Sequence, residues 1–163
     1  TGEVMGVDYD FRGAVSKALM AAGMMLPPEG TVLLSIADRH KAEAVPMFKE
    51  LAEAGYTLFA TGGTADTIRG MGIPVVVVPK RLREGHPNVV DVITDGTVNA
   101  VINTVTGDRE VLQDGFNIRR AAVDMRIPCF TSLDTARAAV ESLANGATGY
   151  NIKPLRHYLE GRI

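Results

Sequence analysis

The strongest constraint on the fold is a regular exchange of two kinds of segment. Short, unbroken apolar runs alternate with longer stretches whose apolar residues fall at helical spacing. Thr31–Ile36, Tyr56–Ala60, Ile73–Val78, Asn99–Asn103 and Pro128–Thr131 have the length of strands, and Val75 to Val78 is a continuous β-branched run. A strand covered on both faces needs apolar residues at every position, as in a parallel sheet flanked by helices. Between the runs, Ala44, Met47, Phe48 and Leu51 share one helical face, with Gly55 placed for a left-handed C-cap. Pro46 suits a first turn better than an interior, so this helix is expected to start near Val45. Thr64 to Met71, ended by Gly72, forms a second helix, and Val89, Val92 and Ile93, ended by Gly96, form a third. Ile118, Ala121, Ala122 and Met125 mark a fourth, and Asp134 caps a fifth running to about Leu143 and ending near Asn145-Gly146. The repeating β–α unit predicts an α/β fold. It is a Rossmann-like three-layer sandwich with a mainly parallel five-stranded sheet and right-handed crossovers.

The 163 residues suit a single domain, 1–163. A leading helix within 1–26 carries Phe11, Val15, Leu19 and Ala22 on one face. The Pro27-Pro28-Glu29-Gly30 stretch after it reads as a stiff linker rather than a boundary, because so short a segment cannot close its own core. The α/β core spans 30–145, and a tail, 146–163, is expected to pack as a last short helix through Leu155, Tyr158 and Leu159. Since the chain opens on Thr1, it is expected to be a piece of something longer. With 17 basic against 19 acidic residues and a net charge of −2, a nucleic-acid partner is not expected. The one cysteine, Cys129, excludes an internal disulfide framework and fits a reducing cytoplasm, while no apolar run approaches the roughly 18 residues that span a bilayer.

Parallel sheets bind ligands beyond the carboxyl ends of their strands, so the residues that follow each strand are the ones to weigh. Ser35, Asp38, Arg39, His40 and Lys41 follow the first, and Thr61-Gly62-Gly63-Thr64 follows the second and runs straight into a helix. Two glycines bring backbone amides close to a ligand, and the helix start adds unpaired N–H groups and partial positive charge, which together make an anion cradle. The plainer alternative is a strand-to-helix turn in which Thr64 caps the helix. Lys80 follows the third strand, so Lys41 and Lys80 stand at the same sheet edge as compact positive charges suited to phosphate, or as ordinary solvated lysines. Asn103 and Thr104, after the fourth strand, offer an amide and a hydroxyl to a sugar or base, or simply satisfy a turn. Neither a Walker loop nor a G-x-G-x-x-G or G-x-S-x-G motif is present. His40, His86 and His157 lack metal-ligand spacing, so no metal site is expected, and Cys129 reads as core filling rather than a nucleophile.

Taken together, Leu33-Leu34-Ser35 with Lys41, Ala60-Thr61-Gly62-Gly63-Thr64-Ala65, Lys80 with Glu84-Gly85 and Pro87, and Ile102-Asn103-Thr104 with Gly107 resemble the methylglyoxal-synthase-like domain. The version resembled most is the allosteric domain that ends the carbamoyl-phosphate synthase large subunit. Thr1-Gly2-Glu3-Val4-Met5-Gly6 resembles the seam to the preceding ATP-grasp half, and the resemblance runs to about Leu143. It implies a regulatory domain without catalytic residues or a cofactor of its own, binding a small phosphorylated effector such as UMP or IMP. Its partners would be the ATP-grasp domains of the parent subunit, which use ATP with Mg or Mn, and the glutaminase small subunit. Carried over, the effector phosphate lies near Lys41, Thr61, Gly62, Gly63 and Thr64, and Ser35, Lys80, Asn103, Thr104 and Thr106 complete the pocket. Relatives with a Tyr-Asp-Thr stretch near an ornithine site align it with Cys129-Phe130-Thr131, so only Thr131 carries over to a possible second effector site. The alternative is a free-standing lyase acting on dihydroxyacetone phosphate. Methylglyoxal synthases supply its catalytic carboxylate from a Gly-Gly-Asp stretch after the third strand, where this chain has Arg83-Glu84-Gly85-His86 and offers only Glu84.

Overall fold

A computed structural model describes residues 3–81, 83–104, 109–144 and 152–160. Thr106, Gly107, Leu82 and the Asn145-Gly146 helix end lie outside the described residues. Five strands, β1 (Thr31–Ser35), β2 (Thr57–Thr61), β3 (Val76–Val78), β4 (Ala100–Asn103) and β5 (Cys129–Phe130), form one sheet in the order β3-β2-β1-β4-β5. Every pairing is parallel, with Leu33 opposite Phe59 on one side and Val101 on the other. The central strand explains the three layers. Val32 and Leu34 point into one core with the buried face of α2 (Asp38–Glu53), whereas Leu33 points into a second core with Val89, Val92 and Ile93 of α4 (Val89–Thr94) and Ile118 of α5 (Arg109–Asp124). The first core also takes in Leu19 of α1 (Phe11–Ala21), Ile68 of α3 (Gly62–Gly70) and Val140 of α6 (Leu133–Ala144). Side chains alternate across a strand, so the unbroken apolar run Val32-Leu33-Leu34 of β1 feeds both cores.

Four differences from the sequence reading bear on the packing or the site. α2 begins at Asp38, not near Val45, and holds Pro46 in its interior. Proline there removes a backbone hydrogen bond and crowds the preceding turn. The helix persists because Ala44, Met47, Phe48 and Leu51 are buried along it while Pro46 faces solvent. β3 is shorter than Ile73–Val78 and is an edge strand, leaving Val76 46% and Val77 39% exposed, so its unbroken β-branched run does not reflect two covered faces. α3 starts at Gly62 rather than Thr64, and Asp134 stands inside the first turn of α6 instead of capping it. On α1 the expected apolar face is only half used: Leu19 is buried and Val15 packs on the core, but Phe11 is 79% exposed. Gly55 follows α2 at φ 85°, the left-handed cap that its position suggested.

The tail does form a short helix, α7 (Leu155–Glu160), but Leu155 and Leu159 stay exposed. Its anchor is Tyr158, which meets the N-terminal segment instead of the core. Lys17 donates to the Tyr158 hydroxyl (2.9 Å) and to the Val7 carbonyl (3.0 Å), and pairs with the Asp8 carboxylate at 2.9 Å. Tyr9 packs against Tyr158 with the rings tilted and their centroids 5.0 Å apart, and its hydroxyl donates to the His157 carbonyl.

Candidate functional site

The chain runs from β1 outward through β2 to β3, then crosses back to β4 on the other side of β1. At such a reversal the loops leaving neighbouring strands part and open a crevice. A cavity of about 230 Å³ lies there, lined by Ser35, Lys41, Thr61, Gly62, Gly63, Thr64, Lys80 and Thr104 together with Ile36, Ala37 and Asp38. Eight of the residues singled out from sequence therefore come together from four strand ends. Two helix starts also meet at it, α2 at Asp38 and α3 at Gly62, and both helices are long enough for their first N–H groups to carry appreciable positive charge.

Hydrogen bonds from the neighbouring strand ends fix the backbone of the cavity. Thr64 does not cap α3. Its hydroxyl accepts from the Ile36 N–H (3.0 Å) and lies 3.4 Å from the Ile36 carbonyl, tying α3 to the turn after β1. On the other side the Thr104 hydroxyl accepts from the Ala37 N–H (2.8 Å). Both threonines and Ser35 are buried, so these bonds form away from water. Asn103 is equally buried but does not line the cavity: its amide nitrogen donates to the Ser35 carbonyl (3.4 Å), and its amide oxygen accepts from Arg119 of α5 (3.0 Å).

Lys41 lies over the start of α3. A Cβ on Gly63 would come within 2.7 Å of the Lys41 ammonium, so glycine is what leaves room for the cation. The same ammonium pairs with the Asp38 carboxylate at 2.6 Å. That hydrogen bond, then the Lys41 charge, with Lys80 adding to it, holds the Asp38 carboxyl below the usual carboxylate range. Asp38 follows β1 in the sequence but is not among the residues expected in the pocket. With the helix placed at Val45, the i,i+3 relation of Asp38 to Lys41 is invisible; with α2 starting at Asp38, it follows from helical geometry.

Thr131 stands apart from this cavity. It lines a second one, of about 360 Å³, with Arg39, His40, Glu43, Ser132 and Asp134, where Arg137 of α6 grips Glu43 at 2.9 Å. Glu84 pairs with Arg81 at 3.5 Å and does not line the first cavity. His86 pairs with Asp91 at 2.6 Å beside the α4 cap, where the Asn88 N–H and then His86 hold the Asp91 carboxyl low. Burial pushes the Cys129 thiol up to about 11, partly offset by Arg119, which suits core filling. Among the described residues no group of His, Cys, Asp and Glu is placed to hold a metal ion, and no helix is long and apolar enough to cross a membrane.

Comparison with known proteins places this geometry in context. The carbamoyl phosphate synthase large chain of Thermomicrobium roseum is 46% identical over 158 residues, 97% of this chain but 15% of that protein. The C-terminal section of the Methanopyrus kandleri large chain is 46% identical over 143 residues, 88% of this chain and 26% of that one. This chain thus spans only a small part of the curated relatives it matches. Methylglyoxal synthase from Elizabethkingia anophelis shares the fold at a TM-score of 0.57, covering 85% of this chain and 95% of that one at 20% identity. The family model described as the MGS-like domain matches residues 43–131, more than half of the sequence and most of the sheet. By that match, the chain belongs to the MGS-like domain family.

Proposed function

We propose that this chain is the regulatory domain of a carbamoyl-phosphate synthase large subunit, binding a small phosphorylated effector such as UMP or IMP. In that role it tunes ATP-dependent carbamoyl phosphate synthesis elsewhere in the parent enzyme. The ATP-grasp domains and the glutaminase subunit are its partners, in the cytoplasm, on the pathways to pyrimidines and arginine. The observation that supports the reading is the convergence on one cavity of Lys41, Lys80 and the glycine-lined start of α3. Two cations and a helix N-terminus suit a phosphate monoester, which carries both negative charge and several acceptor oxygens. Thr61, Thr64, Thr104 and Ser35 supply the remaining polar lining, and Thr106 lies outside the described residues. In this reading residues 1–163 are one domain of a longer polypeptide.

A lyase working on dihydroxyacetone phosphate would need a base able to take a proton beside a carbonyl, with acidity near the working pH. Asp38 is the carboxylate among the described lining residues, and its bond to Lys41 lowers its carboxyl further below the usual carboxylate range, the wrong direction for such a base. The test is a thermal-shift comparison of the isolated chain with UMP, IMP, uridine and inosine. A ligand that binds only the native state at 100 times its dissociation constant stabilises by about 2.7 kcal/mol. Nucleotides should raise the melting temperature and their nucleosides should do so much less. Equal shifts would mean that the phosphate is not what the cavity holds, and conversion of dihydroxyacetone phosphate in proportion to added chain would transfer the assignment to the lyase.

A further inference from the structure

We propose that the Asp38 carboxylate is a built-in anion that occupies Lys41 in the unliganded cavity, so that a phosphorylated ligand binds by displacing it. This rests on the effector-binding reading above and adds a residue that sets how tightly the cavity holds an anion. Three observations carry it. First, Asp38 lines the same cavity as both lysines, and its 2.6 Å bond to Lys41 fills the contact a phosphate oxygen would need. Second, the two partners are unequally held. The Lys41 side chain is 21% exposed and lies against the start of α3 where Gly63 makes room for it, whereas the Asp38 side chain is 93% exposed. The lysine is the fixed partner and the carboxylate the one that can swing into water. Third, Asp38 opens α2 and Gly62 opens α3, so two helix starts favour an anion at this spot whether it comes from the chain or from a ligand.

The exchange has a direction. A dianionic phosphate monoester offers Lys41, Lys80 and the α3 amides more charge and more acceptor oxygens than one carboxylate does. Released into solvent, Asp38 keeps its favourable place in the first turn of α2. It still repels the ligand, and it costs the ligand the pair that was broken. Removing the carboxylate should therefore strengthen binding, although it removes an ion pair from the fold.

Calorimetric titration of UMP and of inorganic phosphate into the wild-type chain, Asp38→Asn and Asp38→Ala tests this. Exposed ion pairs are worth little, so the expected gain in affinity is about two- to fivefold for both probes, shrinking at high salt. In the absence of ligand the melting temperature of both variants should fall slightly, a change opposite in sign to the gain in affinity. A purely structural Asp38 would lower both or leave affinity unchanged, and either result overturns the proposal. Weaker UMP binding with unchanged phosphate binding would make Asp38 an acceptor for the ligand's hydroxyls, which also overturns it. IMP takes the place of UMP in the same titrations if UMP does not bind, and if none of the three probes binds any of the proteins, the effector-binding reading itself fails.

Discussion

At the scale of single residues, threonines and lysines in the cavity do different work. Thr64 looks in sequence like a helix cap, yet its hydroxyl receives the buried Ile36 N–H from another segment. Thr64→Ala strands that donor, so the unliganded chain should lose about 1–3 kcal/mol. Thr64→Ser keeps the oxygen and gives up one methyl group, about 0.8 kcal/mol. Urea unfolding of the two variants should separate them in that order; equal losses would mean that the bond to Ile36 contributes nothing. Lys80 bears on the ligand instead of the fold. If it faces the effector phosphate, Lys80→Ala removes a charge-assisted hydrogen bond of about 1.5–3 kcal/mol, one to two orders of magnitude in affinity. Its melting temperature should barely move, since changes at such positions stay within about 0.5 kcal/mol. Lys49→Ala, on the exposed side of α2, changes net charge equally and should leave nucleotide binding alone. Calorimetry at one salt concentration decides, and equal affinities would put the phosphate elsewhere.

At the scale of elements, α2 shows packing overruling local preference. Pro46 is the ninth residue of a helix that begins at Asp38, where an interior proline is costly. Four buried residues on the opposite side, Ala44, Met47, Phe48 and Leu51, hold the helix through it. Pro46→Ala restores the missing N–H at a solvent-facing position and should raise stability by about 1–3 kcal/mol. The check is the urea midpoint at an unchanged m-value. A loss would mean that the proline's stiffening of the unfolded chain outweighs its misfit in the helix. The same packing brings Asp38 and Lys41 onto one helical turn at the cavity, so a local conflict at Pro46 and the geometry of the site are linked through a single element.

At the scale of the whole molecule, the linker before β1 is fastened to the base of the sheet by Tyr56. Its ring is buried and its hydroxyl donates to the Pro27 carbonyl. Burial pushes the phenol up to about 12, from an ordinary value near 10. The native state therefore holds this proton more tightly than the unfolded chain does. The resulting stability is fully present below pH 10 and is lost as the pH rises through 12. Tyr56→Phe should show a flatter decline in stability than the wild type between pH 9 and pH 12, followed by urea unfolding; parallel declines would dismiss the role of Tyr56. The sequence by itself determined the parallel α/β class, because continuous apolar runs separated by helical spacing have few other ways to bury both faces. It also determined which loops meet at the cavity, because residues that follow parallel strands must emerge at one edge of the sheet. Only the tertiary structure decided where α2 begins, that Val76 and Val77 sit on an open edge, and that Asn103 serves Ser35 and Arg119. Those outcomes depend on neighbours distant in the chain. A proline's cost, a strand's exposure and an amide's partners are set by what packs against them, and local sequence does not contain that information.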